Sequence, residues 1–139
     1  MPDPLDPLLA AVPQLQVVAG WLPSRIASGI AVHVKEPPAH GETAFVVLDG
    51  RLDPDRPSLA GTWSTAVLAL QVWSVHDSLL AAAALGDQVR AAVLNRLRSD
   101  APLAGVSIVD VAPAGHADAD VIAGVAQQID AFSVALSRA

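Results

Sequence analysis

Apolar and polar positions change their spacing along the chain, and the changes mark out elements. The clearest run is residues 78–97. Leu85, Val89, Val93 and Leu97 recur every four residues, and Ala81–Ala84 add strong helix formers. This predicts a long helix over about 77–97, with Asp77 as N-cap and Gly86 weakening it locally by about 1 kcal/mol relative to alanine. Pro102 prevents its continuation. Before it, Thr62–Val75 alternates: Trp63, Thr65, Val67, Ala69, Gln71 and Trp73 fall on one side, and Ser64, Ala66, Leu68, Leu70, Val72 and Ser74 on the other. A long strand with apolar groups on both faces is expected to be covered on both sides over part of its length, or to pair edge to edge with another subunit.

The remaining segments carry weaker patterns. Asp3–Gly20 reads as helical: Asp6 can cap, Pro7 suits a first turn, and Leu8, Leu9, Ala11 and Val12 follow. Pro13 predicts a break, with a second turn through Val17 and Val18 and a stop at Gly20. In Ile26–Lys35, Ile30, Val32 and Val34 alternate with Ala31, His33 and Lys35, a weak strand closed by Pro37 and Pro38. Thr43–Leu48 is a better strand, and Gly50–Gly61, with Pro54, Pro57 and the charges Arg51, Asp53, Asp55 and Arg56, reads as a long polar connection. Val106, Ile108 and Val111 predict a short strand, and Ala112–Asp120 a loop. The final segment satisfies two periods at once. Val121, Val125, Ile129, Phe132 and Leu136 fit a helix, while Phe132, Val134 and Leu136 fit a strand; periodicity alone favours the helix. Together these predict an α+β fold: a mainly antiparallel sheet of four to five strands, with the long helix (about 77–97) packed on it and a short N-terminal helix.

Composition narrows the class. The chain has 139 residues, enough for a single domain over 1–139 with one modest core. Hydrophobic residues are 53%, inflated by 27 alanines, and charged residues are only 16%, which excludes a disordered chain. No apolar run approaches the roughly 18 residues of a membrane span. Cysteine is absent, so disulfides, zinc-thiolate sites and thiol nucleophiles are excluded. Met1-Pro2-Asp3-Pro4 lacks a basic region and an apolar stretch, so no secretory signal is expected. Acids outnumber bases 14 to 8, and Lys35 is the sole lysine. Gripping nucleic acid needs clustered cations, and the nearest approach, Arg90, Arg96 and Arg98, reads as a solvated helix end. Low charge with many small apolar residues suits a surface that packs against protein.

Candidate chemistry is sparse. His33, His40, His76 and His116 do not pair at metal-ligand spacing. His76-Asp77 resembles half of a base–orienter pair, but it stands at a strand-to-helix junction where Asp77 has a capping use. His116, Asp118 and Asp120 could offer oxygens to a hard cation, yet the central glycine and terminal glutamate of a calcium loop are missing, so a solvated acidic loop is expected. Asp53 and Asp55 flank Pro54 and read as surface turn residues. No phosphate-cradling glycine motif and no nucleophile elbow occurs. Trp21, Trp63 and Trp73 suit a core or an intersubunit anchor, and so few aromatics make no base-stacking platform. No catalytic, metal or cofactor-binding residue is assigned, and no cofactor is expected. What remains is binding or assembly.

From Val67-Leu68-Ala69-Leu70-Gln71-Val72-Trp73-Ser74 through Asp77 and the alanine-rich helix, the chain resembles the tail terminator (tail completion, minor tail) proteins of long-tailed bacteriophages and phage-derived particles. The similarity extends over the order Leu8–Val12, Phe45-Val46-Val47, Arg51–Arg56, the long strand, the helix, Val106–Val111 and the tail; Thr43-Ala44-Phe45 stands where members often have Pro-aromatic. The resemblance implies that the last segment, Ala126–Ser137, is a strand, against its periodicity. It also implies a structural ring, usually of six copies, in the virion tail and assembled in the host cytoplasm. Such a ring caps the tail tube protein, stops its polymerisation and joins a head-completion or connector protein. Six copies at −6 each would carry −36, which repels DNA sliding through the lumen instead of binding it. Arg51, Asp53, Asp55, Arg56 and Trp63 are the expected assembly contacts. Three other readings stay open: a head-completion, stopper or tube subunit of the same machine, a small α+β enzyme or ligand-binding module using His76, Asp77 and the loop histidines, and a free-standing oligomeric scaffold with no phage role.

Overall fold

The computed structural model describes residues 10–37, 43–54, 65–100, 103 and 105–138. The elements run α1 (Ala11–Trp21), a 3-10 turn (Leu22–Arg25), β1 (Ala31–Val34), β2 (Phe45–Pro54), β3 (Thr65–His76), α2 (Leu79–Asp100), β4 (Val106–Ile122) and β5 (Val125–Arg138). One five-stranded sheet has the order β1-β2-β3-β5-β4, parallel at β1–β2 and antiparallel elsewhere. Both helices pack on the same face of it. This is the α+β architecture expected, with the final segment a strand. Helical periodicity misled there.

The core follows from strand alternation meeting a helical stripe. On β3, Ala66, Leu68, Leu70 and Val72 point inward and are buried; on β5, Phe132, Val134 and Leu136 do the same. Leu85, Val89, Val93 and Leu97 of α2 close over them, each nearly fully buried. At about 1.5–3 kcal/mol for each such side chain, this stripe is the main attachment of α2. Leu15, Val18 and Trp21 of α1 complete the core above β1 and β2.

Several boundaries differ from expectation, each for a physical reason. Pro13 does not break α1. It stands in the first turn, where no intrahelical partner exists for its missing N–H, and the helix runs on through Gly20. Leu8 and Leu9 lie outside the described residues. The cap of α2 is Ser78, not Asp77: Ser78 Oγ accepts from the Ala81 amide at 3.2 Å. Gly50–Asp53, expected in a polar connection, continues β2, because β3 is long enough to pair with it out to Ala66. Ala112–Asp120, expected as a loop, belongs to β4. That strand lies at the sheet edge, where Pro113 and three register shifts are tolerated. Finally, β3 is the central strand and not an edge, and among the described residues no helix packs on its outward face.

Gly86 has a packing role that its helix propensity hides. A Cβ there would run into Nε2 of Gln128 and lie 3.0 Å from its Cβ. Gln128 is buried and tied down, since Nε2 donates to Asp130 Oδ2 (3.1 Å) and Asp87 Oδ1 (3.4 Å). Gly86→Ala is therefore expected to destabilise by about 1–2 kcal/mol in urea unfolding, although alanine is the better helix former. In a Gln128→Ala background the loss should shrink toward zero.

Candidate functional site

The sheet alternation that fills the core also defines a second, outward face, buried at Val47 and Val75 and open at Ala69, Gln71 and Arg51. Phe45, Val47, Asp49, Arg51 and Asp53 of β2 stand there, opposite Val75, Trp73, Gln71, Ala69 and Val67 of β3. Gln127, Ile129, Ala131, Ser133 and Ala135 of β5 continue it. At one end of the sheet this face deepens into an apolar groove of about 380 Å³, lined by Phe45, Val47, Trp73, Val75, Ile122 and Val125 among others. Among the described residues, Lys35 is the one charged side chain in its lining. Lys35 has φ of 68°, and its Nζ reaches Asp49 Oδ1 at 3.2 Å.

The same end carries an apolar rim. Leu79 and Leu80 begin α2, and Val121, Ile122 and Val125 flank the β4–β5 turn at Ala123–Gly124; all five are well exposed, Leu80 at 84%. Among the described residues only Val12 and Val109 are other large hydrophobics exposed to this degree. Clustering of this kind marks a protein-contact surface more than scattered single residues do.

Beneath the rim on the helix side lies a polar cluster. His116 Nδ1 is 2.6 Å from Asp130 Oδ1, and Nε2 is 2.8 Å from Asp118 Oδ1. The Asp130 side chain is only 2% exposed; Asp118 is almost fully exposed. The hydrogen bond to Asp130, then that to Asp118, raises the His116 pKa above its ordinary 6.5. In its protonated form, which the raised pKa favours, both ring nitrogens donate to carboxylates and the ring has no lone pair left for a metal or for base chemistry. Its evident work is to neutralise a buried aspartate. A cleft of about 510 Å³ opens beside it, between the N-terminal half of α2 and β4, with Asp87 and Asp118 on its walls.

The residues singled out from sequence are dispersed. Arg51 and Asp53 form an exposed ion pair of 3.1 Å on the outward face of β2, toward the end opposite the apolar rim. Asp55, Arg56 and Trp63 lie outside the described residues, as does His40. His76 closes β3, its Nδ1 2.8 Å from both the Asp77 carboxylate and the Asp77 amide, which compete for the same nitrogen. His33 meets Phe45 edge-on, with ring centroids 6.1 Å apart. Trp21 is core and Trp73 lines the groove. Among the described residues, no three His, Asp or Glu side chains group as a metal site, and no helix is long and apolar enough to cross a membrane. Sequence reading passed over Leu79, Leu80, Asp130 and Gln128. The signal for Asp130 was a carboxylate at an inward position of an otherwise apolar alternation.

No protein-family model matches the chain, and no curated protein matches it. Among solved structures, a chain from the virion of a native gene transfer agent particle is similar in fold. The match has TM-score 0.57 at 17% identity, over 76% of this chain and 78% of that one. At this identity the likeness speaks for the fold.

Proposed function

We propose that this chain is a structural subunit of a phage-like particle that closes with copies of itself into a ring. In this reading the ring caps a tail tube, halts its growth and presents the joining surface for the head, leaving a channel for DNA. The observation that carries the proposal is the outward sheet face with its apolar groove, on which no helix of the described residues packs, together with the rim of exposed hydrophobics at the same end. A monomer has no use for five exposed large hydrophobics at one end; a subunit in a closed assembly does. The sequence resemblance to tail terminators and the fold likeness to a gene transfer agent virion chain support the same reading. So does the net charge of −6, which suits a conduit that must not retain duplex DNA.

Head-completion proteins and tube subunits are the neighbouring alternatives, and assembly behaviour separates them. Mixed with a tail tube protein from the same genome, the purified chain is expected to arrest tube elongation, with a six-copy species in native mass spectrometry, free or on the tube. Self-polymerisation would make it a tube subunit. A chain that stays monomeric, alone and with tubes, would end the ring reading.

A further inference from the structure

We propose that the Leu79–Leu80 step of one copy seats in the apolar groove of the next copy, with Lys35 at the groove meeting Asp77 beside the step. This rests on the ring reading above and names the contact that would close it. Step and socket lie at the same end of the molecule but on opposite faces of the sheet. Adjacent β5 residues show this directly: Gln127 lines the groove, and Gln128 lines the cleft beside Leu79 and Leu80. A heterologous contact needs two different patches on opposite sides of a subunit, so that each copy gives one and receives one.

The two patches match in character and in charge. Leu80 projects with 84% of its surface exposed and Leu79 with 45%, while the groove offers about 380 Å³ between Phe45, Trp73, Val75, Ile122 and Val125. The step is acidic. Asp77 is 68% exposed beside it, and the cleft below holds Asp87 and Asp118, with His116 bonded to Asp118 and no Lys or Arg among the described lining residues. At the socket, Lys35 is the one charge among the described lining residues; it is 46% exposed, its ammonium shared with Asp49 at 3.2 Å and open to a second carboxylate. Opposite charges at the border of an apolar contact set register and disfavour other docking modes.

Native mass spectrometry of single and mixed variants tests the contact. Leu80→Asp and Ile122→Asp change exposed side chains, so each should melt as the wild type does yet lose the assembled species. Mixed together, they should form a dimer and nothing larger, because one retains the socket and the other the step. Lys35→Glu and Asp77→Lys should each weaken assembly by about tenfold, and the double exchange should restore it. If Leu80→Asp assembles like the wild type, or the mixture gives no dimer, or the double exchange is worse than either single change, the contact is wrong while the ring reading stands. A wild-type chain monomeric with and without tubes removes the ring and this contact together.

Discussion

Replacing Gly50 by alanine is expected to lower the unfolding free energy by about 2–4 kcal/mol, among the largest effects of any single methyl in this protein. A Cβ at Gly50 would lie 2.6 Å from the Ala69 carbonyl oxygen. That atom is backbone in the central strand, held by pairing to β2 on one side and β5 on the other. It cannot rotate away as a side-chain end would, so either β2 or β3 must shift. The Gly50 amide is also committed, donating to Asp49 Oδ1 at 2.8 Å, and Asp49 in turn accepts from Lys35. Displacing β2 therefore disturbs the polar pair beside the groove as well. Denaturant unfolding of Gly50→Ala measures the loss, and a change below about 0.5 kcal/mol would show that the two strands separate more easily than their register implies.

His116→Ala is expected to cost about 2 kcal/mol near neutral pH and to remove a pH dependence that the wild type shows. It leaves the Asp130 carboxylate buried with only Gln128 to satisfy it. The figure stays below the roughly 3–5 kcal/mol of a fully buried pair because the imidazole is 32% exposed. In the folded chain the His116 pKa is raised above 6.5, so folding takes up a proton between the unfolded and folded values. The stabilisation is complete below about 6.5 and disappears as pH rises through the folded value. Wild-type melts should thus fall in stability above pH 6.5, and His116→Ala should be flat across the same window. Asp118→Ala, which removes the second hydrogen bond, should narrow the window without closing it. A wild-type profile that rises through that range would contradict the assignment.

What could be read from the sequence was set by how local each cause was. The α2 stripe of Leu85, Val89, Val93 and Leu97 needs no knowledge of its partners, and it packs as its spacing implies. The inner face of β3 was equally plain. The tail was not, because β5 alternates Ala126, Gln128, Asp130, Phe132, Val134 and Leu136 inward, and two of those six are polar. They are tolerated only because His116 and Asp87, distant in sequence, arrive to hydrogen-bond them. Pro113 and the acids of Ala112–Asp120 suggested a loop because edge position is a property of the finished sheet. Arg51 and Asp53 were recognised as surface residues, but the strand beneath them was hidden by glycine and proline. The exposed leucines of α2 looked like part of an ordinary helix start. Only the folded chain shows that they stand exposed, Leu80 most of all.

The placement of β5 has a consequence for how the chain is made. It follows every other strand in sequence, yet it lies between β3 and β4 in space. While the ribosome is still short of residue 125, β3 has α2 and β2 beside it but one open flank, and β4 has α2 to lean on but no strand to pair with. The sheet can therefore close only once residues 125–138 have been made, through contacts of long sequence separation. Any surface made by the β4–β5 turn comes into being with that step, so a nascent chain short of it has no such surface to offer a neighbour.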